Sequence, residues 1–163
     1  MKIGLLSDTH STLDKSVFKY FEHVDEIWHA GDVGDISVID KLEAFKPVVG
    51  VYGNIDNHEV RLHLPEFQRF EREGVSVLMT HIAGRPGRYS KPLLEEIQKN
   101  GAPRLFVCGH SHILLIQHDP RFNMLWLNPG AFGNHGFHKV KTLLRFDLKA
   151  GEIKNMEIIE IPR

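Results

Sequence analysis

Apolar positions along the chain fall into short runs, and most of these runs stop at aspartate, asparagine, glycine or histidine. Residues 2–7 (Lys-Ile-Gly-Leu-Leu-Ser) read as a buried strand ending at Asp8-Thr9-His10. Ser11 or Thr12 is suited to cap a helix whose apolar side carries Leu13, Val17 and Phe21. A second strand over residues 26–30 is broken by Gly31-Asp32. Residues 36–45 form a predicted helix with Ile39, Leu42 and Phe45 on one side, and a third strand over residues 47–52 stops at Gly53-Asn54. This strand–helix–strand–helix–strand order predicts parallel pairing with crossovers. Beyond it, residues 67–71 and 75–80 flank Glu73-Gly74 and predict a hairpin. Residues 91–100 predict a helix closed by Gly101, and residues 104–108 a strand stopping at Gly109-His110. Two further strand pairs, 113–118 with 123–127 and 142–148 with 152–161, surround turns. The pattern predicts an α/β fold of mixed sheets with helices outside; it leaves open whether the strands form one sheet or two facing sheets.

Composition narrows the setting. A chain of 163 residues, 42% apolar and 25% charged, suits a single domain over 1–163 with a real core. The formal net charge of -1 offers no bulk attraction to extended nucleic acid or to an anionic membrane, so an anionic substrate would need a local site. No stretch approaches the roughly 20 apolar residues that cross a bilayer, and the first residues lack a secretory apolar region. One cysteine, Cys108, cannot form an intramolecular disulfide and lies in an apolar run as a small buried hydrophobe. The expectation is a soluble cytoplasmic protein, with an edge strand or the C-terminal hairpin available for homo-oligomer contacts.

Eleven histidines change the picture through their positions. Strand ends carry Asp8-Thr9-His10, Gly31-Asp32, Gly53-Asn54, His81 and Gly109-His110-Ser111-His112. In open α/β sheets ligands bind outside the carboxyl ends of the strands, so residues distant in sequence would converge on one rim. A carboxylate can bridge two cations roughly 3.5–4 Å apart. A set of imidazole, carboxylate and amide donors without thiolate suits Mn, Fe, Zn and similar ions. Asp-x-His and His-x-His spacings let alternate residues of an extended segment point the same way, and the preceding glycines allow sharp turns and close approach.

These motifs, in this order, resemble the signature of the calcineurin-like metallophosphoesterase superfamily: Asp8-x-His10, Gly31-Asp32, Gly53-Asn54-x-Asp56, His81 and Gly109-His110-x-His112. Chain length and the early Asn54 are similar to its small bacterial and archaeal phosphodiesterase branch. The resemblance extends to about Ala131, with Asn128-Pro129-Gly130 also similar, and beyond that only as a closing pair of strands. It implies a two-layer β-sandwich of mixed sheets flanked by helices. It also implies two divalent metal ions, with Mn first among Mn, Fe, Zn, Ni and Mg. Asp8, His10 and His112 would hold one ion, Asn54, His81 and His110 the other, and Asp32 would bridge them. A hydroxide between the ions would attack phosphorus of a small phosphate ester, a phosphodiester in the first instance.

One position departs from that pattern. Ile55 stands where many members carry a histidine that assists the leaving group; Asp56 and His58 are the candidates to replace it as catalytic proton donor, the other reading of both being a hydrogen-bonding loop residue. Arg85 and Arg88, in the loop after His81, are candidate substrate-binding residues because guanidinium groups pair with phosphoryl oxygens. His29 is expected in the core or behind the metal ligands. His23, His63, His118, His135 and His138 have no partner motif and are expected to be structural or on the surface. The rival to an enzyme is a protein-binding scaffold on the same fold, similar to the retromer phosphoesterase-like subunit. The complete ligand set favours catalysis.

Overall fold

The computed structural model describes residues 1–163. In chain order the elements are β1 (Lys2–Leu6), α1 (Ser16–Tyr20), β2 (Glu26–His29), α2 (Ser37–Glu43), β3 (Val48–Gly50) and α3 (His58–His63). There follow β4 (Phe67–Arg72), β5 (Val75–Thr80), β6 (Gly84–Arg85), β7 (Arg88–Tyr89), α4 (Lys91–Asn100) and β8 (Leu105–Val107). The chain closes with β9 (Leu114–Asp119), β10 (Met124–Pro129), β11 (Val140–Lys149) and β12 (Glu152–Pro162).

Ten of these strands form two five-stranded sheets, ordered β12-β11-β1-β2-β3 and β4-β5-β8-β10-β9. In the first, β1, β2 and β3 run parallel and β11 joins β1 antiparallel. In the second, β5, β8 and β10 run parallel, with β4 and β9 antiparallel at the edges. Both sheets are therefore mixed, and they face one another across a shared core that includes Ile3, Leu5, Trp28, Val77, Met79, Val107 and Phe146. Successive strand residues point to opposite faces. Leu6 and Ile27 accordingly meet Val17, Ile39, Leu42 and Val60 on the outer side of the first sheet. Leu78, Phe106 and Trp126 meet Leu93 and Ile97 of α4 on the outer side of the second. Burial on both faces is why the central strands read as unbroken apolar runs.

The sequence-predicted helix after Asp8 is cut back to a single turn starting at Ser16. Residues 8–12 are committed elsewhere: the His10 and Ser11 N–H groups donate to the carbonyls of Asp32 and Val33, and Ser11 has φ +65°. Helix α3 was not predicted, although Asn57 caps it by accepting the Val60 N–H, a recognisable start signal. The loop after His81 contains the short ribbon β6–β7 rather than irregular chain. Cys108 is buried as expected, and burial pushes its thiol up to about 12. No helix is long and apolar enough to cross a membrane.

Two ion pairs secure the layers. Glu26, buried at the start of β2, accepts from the Trp28 indole at 2.6 Å and from Arg72 of the opposite sheet at 2.9 Å. Lys141 of β11 is buried and reaches Asp14, ahead of α1, at 2.8 Å. The hydrogen bond from Lys141, helped by those from Ser16, lowers the Asp14 carboxyl from 3.8 to about 2. A depressed folded pKa contributes stability above the unfolded value that is lost as pH falls through the folded value. Lys141→Met should therefore be less stable than the wild type at about pH 6, with the difference shrinking below about pH 4 and lost as the pH falls through about 2; urea midpoints across that range measure it.

Candidate metal centre

Five strands from both sheets deliver polar side chains to one rim. β1 leads to Asp8 and His10, β2 to Asp32, β3 to Asn54, β5 to His81, and β8 to His110 and His112. Of the ten non-glycine residues with positive φ, five are Asp8, His10, Asp32, His110 and His112. Each such residue costs roughly 1–3 kcal/mol and persists only when its surroundings hold it. Here the turns hold one another: the Asp8 N–H donates to Gly31 O at 2.9 Å, His10 N–H to Asp32 O at 3.0 Å, and Gly109 N–H to His81 O at 3.1 Å. Glycine is required where backbone meets the carboxylates. A Cβ on Gly53 would overlap the Asp32 carboxylate, and one on Gly109 would lie 2.9 Å from Asp8 Oδ2.

Two groups of donors result. Asp8, His10 and His112 form one and Asp32, His81 and His110 the other, with the donor atoms of each group within 4.8 Å of one another. Asp32 sends one oxygen to each: Oδ2 lies 3.5 Å from His10 Nε2, and Oδ1 lies 3.2 Å from His81 Nε2. Asp8 Oδ1 is 3.2 Å from His112 Nε2 and 3.8 Å from His81 Nε2. His81 Nδ1 must donate to the Ala30 carbonyl, 2.7 Å away, so in a neutral ring the Nε2 lone pair faces two carboxylates. Asp8 Oδ1, His10 Nε2 and His81 Nε2 are buried and lack any hydrogen-bond partner. Lone pairs converging without a proton between them are what a cation would satisfy, so the residues fit divalent metal.

Their electrostatics agree. Burial works against the charge on His81, yet Asp32 and Asp8 raise its pKa; the Asp8 contact raises His112 despite burial. Burial opposes ionised Asp32, but His81 and the Ile55 N–H hold it below its ordinary value. Burial lowers His10. Asn54 is exposed and lines the same cleft of about 640 Å³ as His10, Asp32, His110 and His112. His29 lies fully buried behind the site, lowered by burial to about 4. Its Nδ1 accepts from Gly31 N–H, so the neutral ring donates from Nε2 to Thr9 Oγ1 at 3.0 Å.

The two candidates for proton donor are placed otherwise. Asp56 is buried, and its oxygens accept the N–H groups of Gly34 and Gly53, each at 2.7 Å. With both oxygens engaged, it braces the loops that carry Asp32 and Asn54. His58 is exposed in the first turn of α3 and lines none of the site clefts. Arg85 and Arg88 lie on the β6–β7 ribbon above a neighbouring groove. Conversely, His135 and His138 join the site unforeseen. The His135 ring stacks on His10 at 4.7 Å, and His138 lies 5.6 Å from His112 while donating to Gly133 O. The only sequence signal is the glycine-flanked stretch Gly133-Asn134-His135-Gly136, which contains His135 and ends two residues before His138.

Comparison with known proteins is consistent with this geometry. The family described as the calcineurin-like phosphoesterase superfamily domain matches residues 1–151. A probable metallophosphoesterase of Methanocaldococcus jannaschii is 34% identical over 136 residues, covering 80% of this chain and 68% of its own. An archaeal phosphodiesterase structure superposes with a TM-score of 0.79 at 24% identity, covering 99% of this chain and 100% of the other. A mutant Vps29 from Entamoeba histolytica superposes with a TM-score of 0.74 at 14% identity, covering 99% of each chain. The last two show likeness of fold. Gly53→Ala, which removes no donor but displaces Asp32, should weaken divalent metal binding by about 10- to 100-fold; calorimetric titration of chelator-treated protein reads the change.

Proposed function

Since the chain belongs to the calcineurin-like phosphoesterase superfamily, we propose that it is a two-metal phosphodiesterase acting on small phosphate esters. The observation that carries this reading is the pair of adjoining donor groups with buried, unpartnered atoms, linked by the two oxygens of Asp32. Asp8, His10 and His112 would hold one cation, Asn54, His81 and His110 the other, and Asp32 both. The donor set suits Mn first, with Fe, Zn, Ni and Mg as alternatives. Bound there, the cations would acidify a water between them and neutralise charge on the phosphoryl oxygens.

The chain's own groups do the rest. The Ala30 carbonyl fixes the His81 tautomer, as an anchored second nitrogen does for metal-ligating histidines. Asp56 and the Ile55 N–H keep Asp32 and the Asn54 loop in place. Ile55, Ile113 and Phe137 give the cleft an apolar rim that reduces water around a bound ester. His135, exposed at the mouth and stacked on His10, is suited to offer an N–H to the departing oxygen, a task that neither Ile55 nor the engaged Asp56 can perform. The scaffold reading is weaker because every candidate ligand position is filled by a competent donor.

Hydrolysis of a chromogenic phosphodiester beside its monoester, in Mn and in chelator, tests the proposal. Turnover should require metal, favour the diester and fall about 100-fold or more in Asp32→Ala. Turnover surviving chelation or the substitution would sink the reading. Two bound ions without turnover for any transition metal would turn the assignment to a scaffold.

A further inference from the structure

The ribbon that follows His81 holds a pair of cations with no internal purpose. Arg85 and Arg88 are register partners across β6–β7, so two positive charges lie directly opposite one another. Like charges in that position destabilise a strand pair. Other arginines are engaged: Arg69, Arg72 and Arg145 bind carboxylates, and Arg61 and Arg121 lie over tyrosine rings. Arg85 and Arg88 touch neither kind of partner. Asp119, at the ribbon's root, is buried and already accepts from the Tyr89 hydroxyl and the Arg121 N–H. The ribbon is nevertheless well anchored, by that Tyr89 bond at 2.7 Å and by the Ser90 N–H donating to Ala83 O at 2.9 Å.

Beneath the pair runs a groove of about 810 Å³ whose lining contains no carboxylate. Its floor is apolar, with Ile113 two-thirds exposed and Leu115 half-buried. Ser111 and Ile113 belong both to this groove and to the metal cleft, and Ser111 sits between His110 and His112. A ligand held at the donor groups can therefore extend continuously to the arginines. In a chain of net charge -1, this is a local, uncompensated positive site joined to the proposed reaction centre.

We infer that the substrate is a phosphodiester carrying a second phosphate on one of its alcohols, with that phosphate bound between Arg85 and Arg88. This inference rests on the phosphoesterase reading. The carbon skeleton between the two phosphates lies over Ile113 and Leu115. Water adds to the reactive phosphorus, one P–O bond breaks, and the products are an alcohol and a phosphomonoester, one of them bearing the second phosphate.

Two measurements test it. Metal-loaded protein is titrated calorimetrically with adenosine 3′,5′-bisphosphate and with adenosine 5′-phosphate. The bisphosphate should bind about tenfold more tightly or better, as expected of paired guanidinium–phosphate bonds. Arg85→Gln/Arg88→Gln, with its fold checked by circular dichroism, should abolish the preference, and Arg85→Lys/Arg88→Lys should restore part of it. In metal-loaded protein, a dinucleotide with a 5′-phosphate should show a lower KM than the same dinucleotide without it, and the glutamine variant should erase that difference. Equal affinities in the wild type, or a preference that survives in the glutamine variant, would overturn the inference. A bisphosphate preference without diester turnover would retain the anion site and remove the phosphodiesterase reading.

Discussion

Asp8 and Asp32 are buried carboxylates with imidazole nitrogens aimed at them, and the protein leaves several of these atoms without a partner. Burying charge is costly unless it is compensated, and a fold would not gather such groups for its own stability. Much of the local backbone serves their placement. The left-handed residues at strand ends, the glycines against each carboxylate and the mutual hydrogen bonds between turns all hold lone pairs in convergence.

The sandwich separates this burden from its structural fastening. The candidate ligands lie at the carboxyl ends of the parallel strands, while Glu26 and Arg72 join the two sheets near the start of β2 and the end of β4. Glu26 is satisfied there by the Trp28 indole and the Arg72 guanidinium. One end of the molecule thus balances its buried charge internally. The other leaves its charge open to an external cation.

Most of the frame was legible in the sequence because it follows from local pattern. Continuous apolar runs marked the central strands, and abrupt polar stops marked the rim, so the seven candidate ligands could be named before their convergence was known. What was hidden depends on contacts between distant segments. The helix after Asp8 lost its first turns to hydrogen bonds with the β2 turn. The sequence offers Asp56 as a hydrogen-bonding loop residue or, with Ile55 in place of a histidine, as a proton donor; which amides it accepts from depends on two separate loops meeting at its carboxylate. His135 and His138 carried no spacing motif; their place beside His10 and His112 follows from how the segment between β10 and β11 returns over the cleft.

The position of β1 also bears on how the molecule is made. It lies in the middle of its sheet, with Leu5 beside both Trp28 and Leu144. The second sheet draws all its strands from residues 67–129, so it can close as soon as that stretch has left the ribosome. The first sheet must wait for β11, leaving one edge of β1 unpaired during most of synthesis. Unpaired edges invite wrong partners. The Asp8 and His10 N–H groups, which donate to the Gly31 and Asp32 carbonyls, tie the end of β1 to the turn after β2 and so fasten the strand through neighbours that are made early.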